Sequence, residues 1–162
     1  MWRRWSFLLI AAFVVAADQL TKYWIRANLL PGESLPEIGI LTIVHAQNTG
    51  SAFGLFTNQA FLLTLIAVVG LVVILLFYRY LPQSSILSTI ALGLVFGGAL
   101  GNLTDRIRLG HVTDFIYVRL WGDFYWPAFN IADSSISIGV VVLAVFLLIG
   151  LKKKDGQTSR GS

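Results

Sequence analysis

The chain predicts a membrane-embedded all-α bundle of four transmembrane helices carrying a small extracytoplasmic β-sheet. Three observations predict this class. Of 162 residues, 56% are hydrophobic and only 12% charged, with a mean hydropathy of +0.76, whereas a soluble domain is about 25% charged. Four apolar runs approach or reach the length of about 20 residues that crosses a hydrocarbon core. The two long segments outside those runs carry the alternation and turn residues of short strands. The length suits one domain over residues 1–162. With no cysteine in the chain, disulfides, thiolate metal ligands and cysteine nucleophiles are excluded. The net charge of +4 sits at the ends of apolar runs, where it orients the chain, so no nucleic-acid partner is expected.

The first span is predicted over residues 5–27. Arg3 and Arg4 followed by the apolar run Trp5 to Ala17 match the first regions of a signal peptide. "VAAD" lacks the Ala-x-Ala spacing of a cleavage site, however, and "DQLTKYWIRANLL" can extend the helix past the interfacial pair Tyr23 and Trp24. A retained helix is therefore expected. The second span, 60–81, is uniformly apolar, and the third, 86–103, carries Gly93, Gly97, Gly98 and Gly101. Small residues at helical spacing let neighbouring helices approach closely. The fourth runs over 133–151 and leads into a tail, 152–162. Arg3, Arg4, Arg79, Lys152, Lys153, Lys154 and Arg160 fall in short loops and termini, against Lys22, Arg26, Arg106, Arg108 and Arg119 in longer segments. That bias places both termini in the cytoplasm and the segments 28–59 and 104–132 outside.

Both outer segments read as strands. "EIGILTIVHAQ" is rich in β-branched residues before an Asn48-Thr49-Gly50 turn, and "HVTDFIYVRLW" alternates before Gly122-Asp123. Phe115, Tyr117, Trp121, Phe124, Tyr125, Trp126 and Phe129 form an aromatic belt at headgroup level.

Ionisable groups near membrane depth are costly, so each is a functional candidate. Asp18 and Lys22 lie four apart with the acid first, the better order for an ion pair, which by itself could simply satisfy the end of the first helix. Asn102 and Arg106 are also four apart and can face one cavity, with Asp105 between them. Asp114 stands on an otherwise aliphatic strand face. Asp133 opens the fourth helix, where an Asp is a preferred N-cap and suits the helix dipole, yet capping gives no reason for Asn130. If the outer strands fold back over the bundle, Asp114 and Asp133 can share one cleft. Two carboxylates in contact do not both ionise easily, so one keeps a proton while the other can activate water.

Other chemistries stay open at this level. Ser51, Ser134 or Ser135 could pair with Lys22 in a Ser–Lys hydrolase, or His111 could activate a serine, although no G-x-S-x-G elbow is present. Asp105, His111, Asp114 and Asp133 could in principle hold a metal, but His111 and Asp114 would face opposite sides of a strand. Buried acids could also relay ions in a small transporter or channel.

Five motifs in order, "DQLTK" (18–22), "NTGSAF" (48–53), "GGALGNLTDR" (97–106), "VTDF" (112–115) and "FNIADS" (129–134), resemble those of the lipoprotein signal peptidases, or signal peptidase II. The resemblance covers about residues 3–151. It implies a bacterial inner-membrane aspartic endopeptidase that removes the signal peptide from diacylglyceryl-modified prolipoproteins, cutting just before the lipidated cysteine. Carried over by motif, Asp114 and Asp133 match the catalytic pair. Asp18, Lys22, Asn48, Gly50, Asn102, Asp105, Arg106 and Asn130 match supporting positions. The resemblance also implies a β-cradle, a short surface helix near "GSAFGLF", contact with membrane lipid, globomycin-type inhibitors, and no metal or organic cofactor. The site is expected near the outer leaflet, and the expected form is a monomer.

Overall fold

The computed structural model describes residues 2–36, 39–50, 59–80, 85–122 and 124–158. Its helices are α1 (Trp2–Asn28), α2 (Ala60–Tyr80), α3 (Ile86–Leu109) and α4 (Ile131–Thr158). Its strands are β1 (Ser34–Leu35), β2 (Leu41–Asn48), β3 (Val112–Trp121) and β4 (Phe124–Phe129). All four helices are long and apolar enough to cross a membrane. The strands form one antiparallel sheet in the order β1-β2-β3-β4. The expected surface helix and the Asp123 half of the second turn lie outside the described residues.

One stripe organises α1. Phe7, Ala11, Val14, Asp18, Lys22 and Ile25 are buried, and Leu29 continues the row past the helix end. Steps of three and four residues keep them on one face. That face lies on α3, the central helix, which also packs along α4 and against α2. The approach of α1 to α3 is close because of Gly97. A Cβ there would stand 2.8 Å from both the Ala11 carbonyl oxygen and Val14 Cβ, a separation no side chain tolerates. By contrast, none of the α2 side chains from Phe61 to Tyr80 is buried, and they form a lipid-facing surface.

Helix boundaries depart from the sequence expectation at the polar ends. The third helix runs six residues past the predicted 103, because Asn102, Asp105 and Arg106 belong to its last turns. Gly110 then stops it in the left-handed conformation (φ 76°) and donates its N–H to the Arg106 carbonyl. The fourth helix starts at Ile131 instead of Asp133 and continues to Thr158, into the expected tail. The Asp18–Lys22 pair is not terminal, since α1 extends to Asn28. A small apolar cluster of Ile25, Leu29 and Phe115, with Ile43, Ile116 and Ile131 against it, seats the sheet on the C-terminal end of α1 and the N-terminal end of α4. Each such fully buried side chain contributes about 1.5–3 kcal/mol.

Candidate active site

Where the α1 stripe turns from apolar to charged, it meets the polar end of α3. Lys22 Nζ lies 2.9 Å from Asp18 Oδ2 and 3.2 Å from Asp105 Oδ2, with all three side chains excluded from solvent. It also donates to Asn102 Oδ1 at 2.9 Å. An ammonium has three N–H donors, and here three acceptors take them. Lys22 is thus held in place by these partners. None of them is a serine, which argues against the Ser–Lys arrangement. Asp18 turns its other oxygen, Oδ1, to the Ala132 N–H at 3.0 Å, satisfying one of the orphan donors of the first turn of α4.

The start of α4 is the hinge of the site. Asn130 is its N-cap, with the Asn130 carbonyl accepting from the Ser134 N–H at 3.2 Å. The Asn130 side-chain oxygen accepts from the Asp133 N–H at 2.9 Å, and Asp133 Oδ2 accepts from the Asn130 N–H at 3.2 Å. This reciprocal pair is a capping box. Capping therefore falls to Asn130, with Asp133 as its third-residue partner, which corrects the expectation that Asp133 is the cap. Asp133 keeps its second oxygen for Asn102, whose Nδ2 donates to Oδ1 at 2.7 Å.

The same asparagine reaches the strand. Asn130 Nδ2 donates to Asp114 Oδ1 at 2.6 Å, and Asn48 Nδ2 donates to Asp114 Oδ2 at 2.9 Å. Asn48 is held in turn because its side-chain oxygen accepts from the Gly50 N–H at 3.0 Å, the Asx turn expected of Asn-Thr-Gly. Asp114 itself pairs with Ala46 of β2, next to the irregularity that shifts the register between Ile43 and Ala46.

Asp114 and Asp133 line one cavity of about 630 Å³ with Asn48, Gly50, Asn102 and Arg106. Apolar residues of β4 and α4, among them Trp126, Phe129, Ile136 and Ile138, form the rest of its wall. Burial pushes the Asp114 carboxyl up to about 7, and the charge of Asp133 adds to the rise. Hydrogen bonds from Asn48 and Asn130 and the charge of Lys22 oppose it. Arg106 lies within electrostatic reach of Asp133, Asp114 and Asp105.

All ten site residues expected from the sequence thus fall in or directly beneath this cavity. Three contributors carried no local signal. Gln19 Nε2 donates to Asp105 Oδ1 at 3.1 Å and to the Gly101 carbonyl at 3.1 Å. Arg26 donates to the Thr113 hydroxyl, and the Thr113 N–H donates to Asp105 Oδ2. Ser134 gives its hydroxyl to the Asn130 carbonyl, as a first-turn serine does, and Ser51 lies outside the described residues. His45 Nδ1 bonds the Leu29 carbonyl on the far side of β2. Among the described residues no group of three His, Cys, Asp or Glu side chains is arranged to hold a metal ion.

Known proteins resemble this chain in sequence and in fold. The family model described as signal peptidase (SPase) II matches residues 10–149. The lipoprotein signal peptidase of Moorella thermoacetica is 48% identical over 146 residues, covering 88% of this chain and 93% of its own. That of Bacillus velezensis is 38% identical over 152 residues, covering 93% and 99%. A solved bacterial membrane enzyme superposes with a TM-score of 0.83 at 37% identity, over 91% of this chain and 90% of the other. A second superposes with a TM-score of 0.77 at 39% identity, over 88% and 92%.

Proposed function

The chain belongs to the signal peptidase II family, and from that premise we propose that Asp114 and Asp133 act as one aspartic dyad. The protein is a multi-pass membrane peptidase that removes signal peptides from prolipoproteins. The finer reading is that it cuts the bond just before the diacylglyceryl-modified cysteine. The observation that carries the dyad is Asn130, a single residue hydrogen-bonded to both carboxylates at the wall of one cavity.

Charge counting supports a shared proton. Asp18, Asp105, Asp114 and Asp133 bring four negative charges, against three positive charges on Lys22, Arg26 and Arg106. Uncompensated buried charge is expensive, and one proton on the dyad balances the set. The ionised carboxyl takes a proton from water, and the water oxygen bonds to the scissile carbonyl carbon. The protonated carboxyl donates to the carbonyl oxygen, which stabilises the tetrahedral intermediate. Collapse of that intermediate breaks the C–N bond: the proton first taken from water passes to the departing amine, and the hydroxyl formed on the carbonyl oxygen returns its proton to the carboxyl that gave it as the C=O bond re-forms. The dyad is left with one proton, as it began. Arg106, beside both acids, offers a cation to the substrate's carbonyl groups. This chemistry uses water and two carboxyls and calls for no cofactor.

The placement follows the charge bias and the lipidated substrate. The dyad serves the outer leaflet of the bacterial inner membrane, with both termini cytoplasmic and the β-sheet cradling the substrate at the lipid surface. A monomer suffices, because one chain supplies every site residue, and globomycin-type peptides would compete for the same cavity. The test is a gel-shift assay on a diacylglyceryl-modified prolipoprotein. Asp114→Asn and Asp133→Asn protein should each fold and leave the substrate uncut, and near wild-type turnover by Asp114→Asn would overturn the dyad.

A further inference from the structure

Strand β3 loses a neighbour at the point where it carries Asp114. Its pairing with β4 begins only at Ile116, opposite Phe129, so residues 112–115 have β2 alone beside them. Side chains take the place of the missing strand at Thr113. Its N–H donates to Asp105 Oδ2 at 3.0 Å, and its carbonyl accepts from Asn130 Nδ2 at 3.4 Å. These substitutes come from α3 and from the cap of α4.

A third tether comes from α1. Arg26 Nη1 donates to the Thr113 hydroxyl at 2.9 Å and lies 3.7 Å from Asp105 Oδ1. Successive side chains on a strand point to opposite faces. Asp114 lines the cavity and Thr113 does not, so Arg26 grips the strand from behind the reacting group. Thr113 is fully buried, whereas the Arg26 side chain remains 23% exposed. The guanidinium therefore reaches inward from the rim of the site, one turn beyond Lys22.

The geometry points to Arg26 as a positioning residue for the peptidase reaction, acting through the Thr113 hydroxyl to hold Asp114 at the angle that faces Asp133. This rests on the reading of Asp114 as a catalytic residue. Arg26 touches neither carboxylate of the dyad, so its loss misplaces a reacting group without removing one. A hydroxyl that has lost its donor, or a donor that has lost its hydroxyl, frees the same strand. The two deletions should accordingly not add.

The experiment measures kcat and KM on a diacylglyceryl-modified prolipoprotein for Arg26→Met, Thr113→Val, the double variant and Thr113→Ser. Arg26→Met and Thr113→Val are each expected to lower kcat about ten- to a hundredfold, the cost of a small misplacement, with KM within about twofold. The double variant should be no slower than the slower single one, and Thr113→Ser should return kcat toward wild type. Full kcat in Arg26→Met, or losses that multiply in the double variant, would overturn the inference. If Arg26→Met does not fold, the nearly isosteric Thr113→Val decides alone, and wild-type kcat in it has the same force. Asp114→Asn run alongside separates the two readings. Activity there removes the dyad itself, while a dead Asp114→Asn beside a fully active Arg26→Met removes only the role of Arg26.

Discussion

The contact between α1 and α3 is built in two ways along its length. In the half towards the α1 N-terminus, Phe7, Ala11 and Val14 meet a helix face carrying Gly93 and Gly97, and the join is made by shape. In the half towards its C-terminus, Asp18 and Lys22 meet Asn102 and Asp105, and the join is made by charge. The stripe on α1 is continuous, so the backbone supplies no reason for the change. Shape is the cheaper join for a membrane bundle, because apolar residues need no partners in lipid. The charged join leaves four ionisable or amide groups with fixed positions beneath a cavity. A peptidase site needs that rigidity, and the N-terminal half of α1 shows what the same helices do without it.

The comparison can be broken most severely at the dyad. Asp133→Asn should lower kcat about 10²- to 10⁴-fold in a single-turnover assay while the helices still pack, since the cap on Asn130 can survive with an amide in place. Lys22→Met should come next, acting on stability first. It strands Asp18 without its cation and leaves Asp105 only the more distant Arg26, and removing one partner of a buried pair costs about 3–5 kcal/mol. Thermal melting in detergent should show a large fall, and addition of Asp18→Asn should recover part of it.

On the shape side, Gly97→Val drives a branched side chain into Ala11 and Val14. Overpacking of this kind costs about 1–3 kcal/mol, so melting should drop while kcat per folded molecule stays near wild type. The smallest effect is a pH dependence. Asp114 is raised to about 7, so it holds its proton below that value and loses it above. The dyad loses its shared proton as pH rises through 7, and kcat should fall about tenfold per unit on the alkaline side. A rate that climbs across that range would contradict the assignment of the proton.

Legibility in the sequence divides along the same line. The four helices could be read because apolar length is a local property, and the strands because their alternation is. The ion pair of Asp18 with Lys22 was readable from a spacing of four residues on one helix. That Asp105 shares the ammonium was not, because Lys22 and Asp105 lie on different helices, far apart in the chain. The capping box is present in the sequence as Asn-x-x-Asp, but Asp alone is also a good N-cap, so the pattern does not say which end caps the helix. Gln19, Arg26 and Thr113 carry no signal in the sequence for a simpler reason. Each is an ordinary residue for its element and gains its role only from what another element brings to it.

The central claim is that the two carboxylates at the cavity work as one unit. It is tested most directly by measuring kcat/KM on a diacylglyceryl-modified prolipoprotein for Asp114→Asn, Asp133→Asn and the double variant, all confirmed as folded. Residues that act together lose their function together, so each single variant should be as inactive as the double. Independent, multiplying losses, or a single variant with near wild-type turnover, would contradict the account.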